Sequence, residues 1–515
     1  MMRFVALITV LIASIAPALA QKKVQLQKGA GKLIGGTRNG ERIERVIDNV
    51  VFVQNTTTIY CDSAWFYRSK NMVEAFGRVR IVEGDSVTIT ASHLEYDGNK
   101  KRAKLRNNVV FTKLATATLY TDFLDYDRGI NQASYYNGGK LVDSINTLTS
   151  KKGYYKVNSN LAAFKKDVTV TNPDYVMTAD SLQYNSKSKT ILFVSETKVV
   201  NKDSSEFVYK SGRYNTVTRT SDLKEGVGQS KAYRITGKNY DFDDRKKLYK
   251  VRGDVVMTSL EENLSIHGQS VDMNKGNSIA KVYDHAYVAK VTDDGDTLFI
   301  TADTLVSIDN VDPAKKRLLA YHHVKIFKSD MQGVADSLEY RAADSTIYFY
   351  KSPVLWSNEN QMTADSIRIL IQRNTVSKIF MVANSFVISK DTLQHFNQIK
   401  GRNMTADFKN GTLNRVNVQG NGQSLYFAVD EKTHNLTGMN RIICSNMVIR
   451  FLEGKAKDLS FYVKPEANFI PPHELNQEDT KLEGFTWKEE LRPVRKDVAK
   501  TPEPALKGSD KRPRL

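Results

Sequence analysis

Few side chains in this 515-residue sequence stand where chemistry needs them. The loop Asp293-Asp294-Gly295-Asp296 has the oxygen-rich make-up of a calcium site, and equally that of a polar hairpin loop. His322 and His323 are adjacent, so on an extended strand they face opposite sides and do not share a metal. Gly420-Asn421-Gly422 has no helix after it, which a phosphate cradle requires, and reads as a turn. An aspartate recurs at Asp62, Asp122, Asp180, Asp303, Asp336 and Asp365, which raises the possibility of stacked carboxylates in a polysaccharide-cleaving β-helix enzyme. Against this, Ser92, Lys151, Lys210, Lys238, Gln269, Arg402 and Ser445 take its place in other copies, as a structural corner allows and a catalytic row does not. His93 follows one such corner and reads as tolerated variation. There is no HExxH, GxSxG, P-loop or CxxC. No catalytic residue, metal or cofactor is expected.

The elements that carry these residues are repeats. The phrase apolar-x-Ala-Asp-Ser-apolar-x-aromatic stands at Met177 to Tyr184 and returns at Ile300 to Ser307, Val334 to Tyr340 and Met362 to Ile369. Weaker copies extend the series from Asp62 to Ser445 at a period near 30 residues, giving about thirteen units. Such a period marks a repeat array in which each unit buries its apolar face against its neighbours. Each unit has a second arm, such as Gly77 to Ile81, Asn108 to Phe111 or His323 to Ile326. Both arms alternate apolar and polar residues and are rich in Val, Ile, Thr and Tyr, as half-buried strands are. Within the phrase the alternation slips: Ala302 and Leu305 are three apart. If both face inward, the strand bends at Asp303-Thr304, and the aspartate there is placed to accept backbone N–H bonds. Asp97-Gly98, Asn137-Gly138 and Asn410-Gly411 read as two-residue hairpin turns, which join antiparallel strands. The expected fold is all-β: a long antiparallel meander of bent strands in two facing sheets, with little helix.

Residues 1–20 read as a signal peptide, with Arg3, an apolar run from Phe4 to Ile15 and the cleavage site Ala18-Leu19-Ala20. The run is too short to span a bilayer, and a retained anchor is the alternative. Residues 21–42 read as a flexible lead-in, 43–463 as the repeat array, 464–487 as a C-terminal capping segment and 488–515 as a disordered basic tail. Cys61 and Cys444 lie in the first and last units and are expected to stay unbridged. The formal charge is +18. For an exported chain this excludes nucleic acid and points to anionic lipid, anionic glycan or a membrane surface, or simply to a solvated basic exterior.

The recurring TADSLxY phrase, followed by a valine-rich strand, resembles the OstA-like, LptA-type lipopolysaccharide-transport family, whose members are periplasmic β-jellyrolls, or β-tacos. Tyr175 to Tyr184, Ile300 to Ser307, Val334 to Tyr340 and Met362 to Ile369 carry the resemblance, which by spacing extends over residues 43–463. The chain is longer than the single-jellyroll members, which implies two or three tandem jellyrolls. Its phrase decays between about 205 and 275, and it lacks the C-terminal barrel of the outer-membrane translocon. The resemblance implies a periplasmic, non-enzymatic carrier or bridge that moves lipopolysaccharide toward the outer membrane, with outer-membrane association or peripheral membrane contact. The alternative is an exported structural or adhesive β-solenoid with a packed core. The alternation turns Ile89, Leu94, Tyr96, Val109, Phe111, Val168, Val170, Met177, Leu182, Tyr184, Ile300, Leu305, Val324, Ile326, Leu338 and Tyr340 inward. The resemblance makes these the candidates for a lipid groove. Other jellyroll proteins are the implied partners, through edge-strand pairing. The expected docking edge is the first apolar strand, with Val46, Val50, Val51, Phe52 and Val53.

Overall fold

Alternating Val, Ile, Thr and Tyr favour extended backbone with one face covered, and they produce it along almost the whole chain. The computed structural model describes residues 23–499, apart from 85–86, 114–116, 144, 374, 410–411, 431–432 and 453–454. Within them the fold is nearly all strand, paired antiparallel, and the one α-helical turn is Arg495–Val498. This is the all-β architecture of bent antiparallel strands expected of a repeated jellyroll. The expected signal peptide lies outside the described residues.

The contacts divide the chain into two units, one ending at Lys202 and the other beginning at Asp203. The first unit contains β1 (Gln25–Leu26), β2 (Lys32–Arg38), β3 (Glu41–Gln54), β4 (Thr57–Tyr67), β5 (Met72–Glu83), β6 (Val87–Asp97) and β7 (Arg102–Lys113). It continues with β8 (Ala117–Asp127), β9 (Gln132–Asp143), β10 (Asn146–Lys156), β11 (Leu161–Thr171), β12 (Tyr175–Asn185), β13 (Thr190–Phe193) and β14 (Thr197–Asn201). The second unit repeats the pattern, for example in Ile279–Val291, Thr297–Ile308, Arg317–Lys328 and Met331–Arg341.

Every long strand bends near its middle. At Asp62, Ser92 and Asp122, and again at Gln269 and Asp303, the register slips beside the recurring phrase position. Opposite each slip the neighbouring strand carries two consecutive residues with positive φ: Asp48-Asn49, Gly77-Arg78, Asn107-Asn108, Asn137-Gly138 and Lys166-Asp167 in the first unit. In the second unit the doublets include Gly253-Asp254, Asp284-His285, His322-His323, Ala383-Asn384 and Gly420-Asn421. Two residues opposing one is a β-bulge, and the left-handed pair turns the chain from one sheet into the other. The halves face each other: Phe111, beyond the bend of β7, lies 5.9 Å from the ring of Tyr155, beyond the bend of β10.

The phrase aspartate does hold the bend. Asp122 Oδ1 accepts the Asn108 N–H at 3.1 Å, and Asp62 takes Arg78 Nε at 2.9 Å. Where lysine replaces it, the opposing doublet is acidic instead: Lys151 pairs with Asp167, Lys210 with Glu225 and Lys238 with Asp254. The charge is exchanged and the cross-corner bond persists, which explains why the position tolerates Asp and Lys alike.

Several expectations need correction. Asn137-Gly138 is not a hairpin turn but a corner inside β9. Asp97-Gly98 does open a hairpin, but one closed by four residues with Lys101 left-handed. Asn410-Gly411 lies outside the described residues. The lead-in is structured: β2 forms a hairpin with β3, and β1 pairs with Phe52 and Val53. The strand that holds Val46, Val50, Val51, Phe52 and Val53 is therefore paired on both sides and is not a free edge; Val46 and Phe52 are fully buried. The edge belongs to β2, where Leu33 and Ile34 are exposed. At the other end, Pro465 does not terminate the array. Val463-Lys464 form another left-handed corner, and Glu466–Ile470 continues beyond it against Met439 to Ile443. Residues 488–499, expected to be disordered, are ordered as far as Ala499, which is buried together with Val498.

Candidate functional site

The inward-pointing set is placed as the alternation requires. Ile89, Leu94, Tyr96, Val109, Phe111, Val168, Val170, Met177, Leu182 and Tyr184 are buried in the first unit. Ile300, Leu305, Val324, Ile326 and Leu338 are buried in the second, where Tyr340 is half-buried. Most pack tightly. Three line small crevices: Phe111 borders one with a cavity volume of about 20 Å³, and Val170 and Tyr184 border a second of about 10 Å³. Leu141 lines both. Leu119, Tyr135, Tyr155, Ala162 and Phe164 complete the larger wall, which is apolar except for Lys113, Tyr154 and ring hydroxyls. An apolar cleft of this make-up shields hydrocarbon from water and offers little to an ionic ligand.

Tyrosines set the polarity of the walls. Tyr135 is packed over Gly139 and Gly153, where any Cβ would meet its ring at 2.4–2.5 Å. Its hydroxyl and the Ser150 hydroxyl are 2.5 Å apart, and burial pushes the phenol up to about 12. Tyr184 is raised further by burial, then by its bond to Asp143. Both therefore stay neutral and act as apolar surface with one satisfied donor.

The mouth between the two rows of half-strands is crossed by polar latches that recur with the repeat. The end residues of β3, β5, β7 and β9 are Gln54, Glu83, Lys113 and Asp143. Gln54 Nε2 donates to Gly98 O at 2.9 Å, and its Oε1 accepts the Tyr96 hydroxyl. Glu83 takes Arg128 Nε at 2.7 Å, and both side chains are largely buried. Lys113 Nζ donates to Val157 O at 2.7 Å and to Asn160 Oδ1 at 2.8 Å; burial lowers its pKa. Asp143 takes Lys189 Nζ at 3.2 Å. Burial alone would lower the Arg128 pKa, but the bonds to Tyr96 and Glu83 outweigh it and raise it. Apolar alternation does not reveal these latches. Their signal is a polar residue closing alternate strands at intervals near 30 residues.

In the second unit the interior near the decayed repeats is filled. Tyr209, Tyr240, Phe242 and Tyr249 form a ring cluster with centroids 5.0–6.5 Å apart. A Cβ on Gly226 would fall 2.3 Å from Tyr209.

The other chemical candidates resolve as structure. Lys328 Nζ lies 2.8 Å from Asp294, 3.0 Å from Asp330 and 3.8 Å from Asp296, so a lysine neutralises the acidic loop. His322 and His323 form a left-handed corner rather than extended strand, and they bond separate carboxylates: His323 Nδ1 is 2.8 Å from Asp303, and His322 Nδ1 is 3.5 Å from Asp336. Among the described residues no three His, Cys, Asp or Glu side chains are grouped to hold a metal, and no helix is long and apolar enough to cross a membrane.

Comparison with known families decides the relationship. Residues 21–180 match the family model of OstA-like proteins, and residues 234–375 match that of the LptA/(LptD N-terminal domain) LPS transport proteins. The chain carries OstA-like and LptA-type domains over these two stretches. The first of these stretches contains the larger crevice of this OstA-like chain, and the bent-strand repeat runs through both. A solved structure similar to part of it is LptH from Pseudomonas aeruginosa, the LptA-homologous periplasmic component of a lipopolysaccharide transport device. The identity is 18%, the TM-score 0.20, and the match covers 22% of this chain and 79% of that one. No curated protein matches the chain.

Proposed function

We propose that this OstA-like protein is a non-enzymatic periplasmic carrier that binds the acyl chains of lipopolysaccharide in the first-unit cleft. The observation that carries the reading is the apolar lining of Phe111, Leu119, Leu141 and Phe164 around a small crevice between the facing half-strands, placed behind a latched polar mouth. Each methylene that leaves water there contributes about 0.8 kcal/mol, so affinity grows with the length of acyl chain that the facing half-strands cover. The latches then divide the ligand: hydrocarbon inside, charged head outside beside Lys113, Arg128 and Lys189. Other jellyroll proteins pair with the edge strand β2, making the chain one segment of a bridge toward the outer membrane.

Benzoylphenylalanine placed at Phe111 or Leu119 should crosslink to lipopolysaccharide in living cells, while the same probe on outward-facing Tyr120 should not. Equal crosslinking at all three, or none at the two inward positions, rejects the carrier. The second reading, a structural β-solenoid, is favoured by the aromatic cluster that fills the second unit around Tyr240.

A further inference from the structure

The C-terminal segment does not cover the last edge strand, whose Phe469 remains exposed. It runs back along the second unit. Leu482 is buried against Phe386, Ile388, Leu425, Phe427 and Met439, and Phe485 and Trp487 pack on the same group. Farther on, Val498 and Ala499 are buried against Tyr287, Ala289 and Phe299. The covered face is the inward one, since Tyr426, between Leu425 and Phe427, points out to solvent.

What holds this strap is unusual. It adds no strand to the sheet. Two almost fully buried glutamines grip its backbone instead. Gln398 Nε2 donates to Thr480 O and its Oε1 accepts the Leu482 N–H, both at 2.8 Å. Gln361 does the same around Trp487, donating to Thr486 O and accepting the Lys488 N–H, both at 2.7 Å. Arg492 Nε then donates to Gln332 Oε1 at 2.8 Å. Each glutamine amide imitates one strand partner. Such grips release singly, without unzipping a ladder. At the corresponding strand ends of the first unit, Gln54, Glu83, Lys113 and Asp143 bond to neighbouring hairpin loops, and a small crevice remains beside Lys113.

We propose that the face beneath residues 475–488 is a second acyl-chain site, which the strap occupies with Leu482, Phe485 and Trp487 and yields when lipid arrives. This rests on the carrier reading and adds to it a second, self-covered site whose loading frees the C-terminal segment. The strap's apolar side chains serve as stand-ins for hydrocarbon: without a ligand they keep the face dry, and an acyl chain replaces them with like contacts.

Hydrogen exchange on the full-length protein, with and without purified lipopolysaccharide, tests the proposal. The Leu482 and Lys488 amides should lose protection when lipid is added, while peptides from residues 102–127 gain it. In the full-length double variant Gln361→Leu/Gln398→Leu, the released fraction of strap should rise about tenfold or more from the lost hydrogen bonds. At a subsaturating lipid concentration that variant should also bind one more lipid per chain in native mass spectra. If 102–127 respond and the strap does not, and the variant's stoichiometry is unchanged, the second site is refuted and the carrier stands. If neither region responds, the carrier reading falls and this inference with it.

Discussion

Removing Glu83 should cost the first unit far more than a surface ion pair would. Its carboxylate takes Arg128 Nε at 2.7 Å and Nη2 at 3.0 Å, and also accepts the hydroxyls of Thr56 and Thr57. The side chains of Arg128 and Glu83 are only 10% and 17% exposed. In Glu83→Ala the guanidinium keeps its position near the Tyr96 and Thr56 hydroxyls at 3.4 and 3.3 Å, but no carboxylate remains beside it. Stranding one member of a buried pair costs about 3–5 kcal/mol, and the residual exposure places this case near about 3. For a unit of this size, that lowers the melting temperature by about 6–12 °C. Circular dichroism at the strand band, followed on heating, reads it. The double variant Glu83→Leu/Arg128→Met removes the desolvated charges together, and should melt within about 4 °C of the parent, because an apolar pair of similar volume substitutes for a buried ion pair at little cost. A single-variant shift below about 2 °C would mean that the mouth at Arg128 is wet and the latch contributes as a surface pair does. A double variant as unstable as the single would show that the geometry, rather than the stranded charge, carries the effect.

Gly77→Ala should destabilise the first unit by about 1–3 kcal/mol in urea titration, since φ is +68° and the added Cβ would lie 2.5 Å from Asp62 Oδ2; an unchanged midpoint would discount the left-handed corner as a constraint. Burial pushes the Cys61 thiol up to about 12 from 9.0, with Asp62 adding to it, so it should ignore a thiol reagent at pH 8 until the protein unfolds. The sign is that of a raised group: its stability contribution is complete below pH 9 and fades as the pH climbs toward 12, and reaction with the native protein at pH 8 would contradict the burial. Asp336 is held down at about 2, against 3.8, chiefly by Ser337 and then Lys351, so its contribution is complete above about pH 4 and is lost as the pH falls toward 2. Asp336→Asn should therefore flatten the acid limb of a pH-stability curve without altering the curve above neutrality; an identical acid limb would remove Asp336 from that account.

Much of the architecture was legible in the chain because it is repeated. The three-residue slip between Ala302 and Leu305, seen again at Ala179 and Leu182, located the bends. The buried faces then followed from simple alternation: Ile89, Leu94, Val170 and Leu305 all came out inside. Misreadings arose where one local signal has two meanings. Asn-Gly favours left-handed backbone wherever it stands, so Asn137-Gly138 suits a strand corner as well as a hairpin, and only the pairing of β9 on both sides of it distinguishes them. The glycine- and lysine-rich segment before residue 41 has poor strand propensity, yet Lys32–Arg38 is a strand because the unpaired edge of β3 supplies hydrogen bonds that its own composition would not.

The sequence by itself determined the repeat, the strand register and which side chains are hydrophobically buried, because those depend on neighbours two, three and about thirty positions away. Which parts of that interior are cleft and which are core depended on tertiary structure alone. Phe111 and Tyr240 both fall on the inward side of the alternation. Phe111 borders a small crevice beside Tyr135, whose ring covers Gly139 and Gly153, and Tyr240 closes a ring cluster against glycine. Which partners the latches and the strap take was beyond sequence reading for the same physical reason: Glu83 and Arg128 are 45 residues apart, Gln361 and Lys488 are 127 apart, and no local period links them until the bent strands bring their ends together.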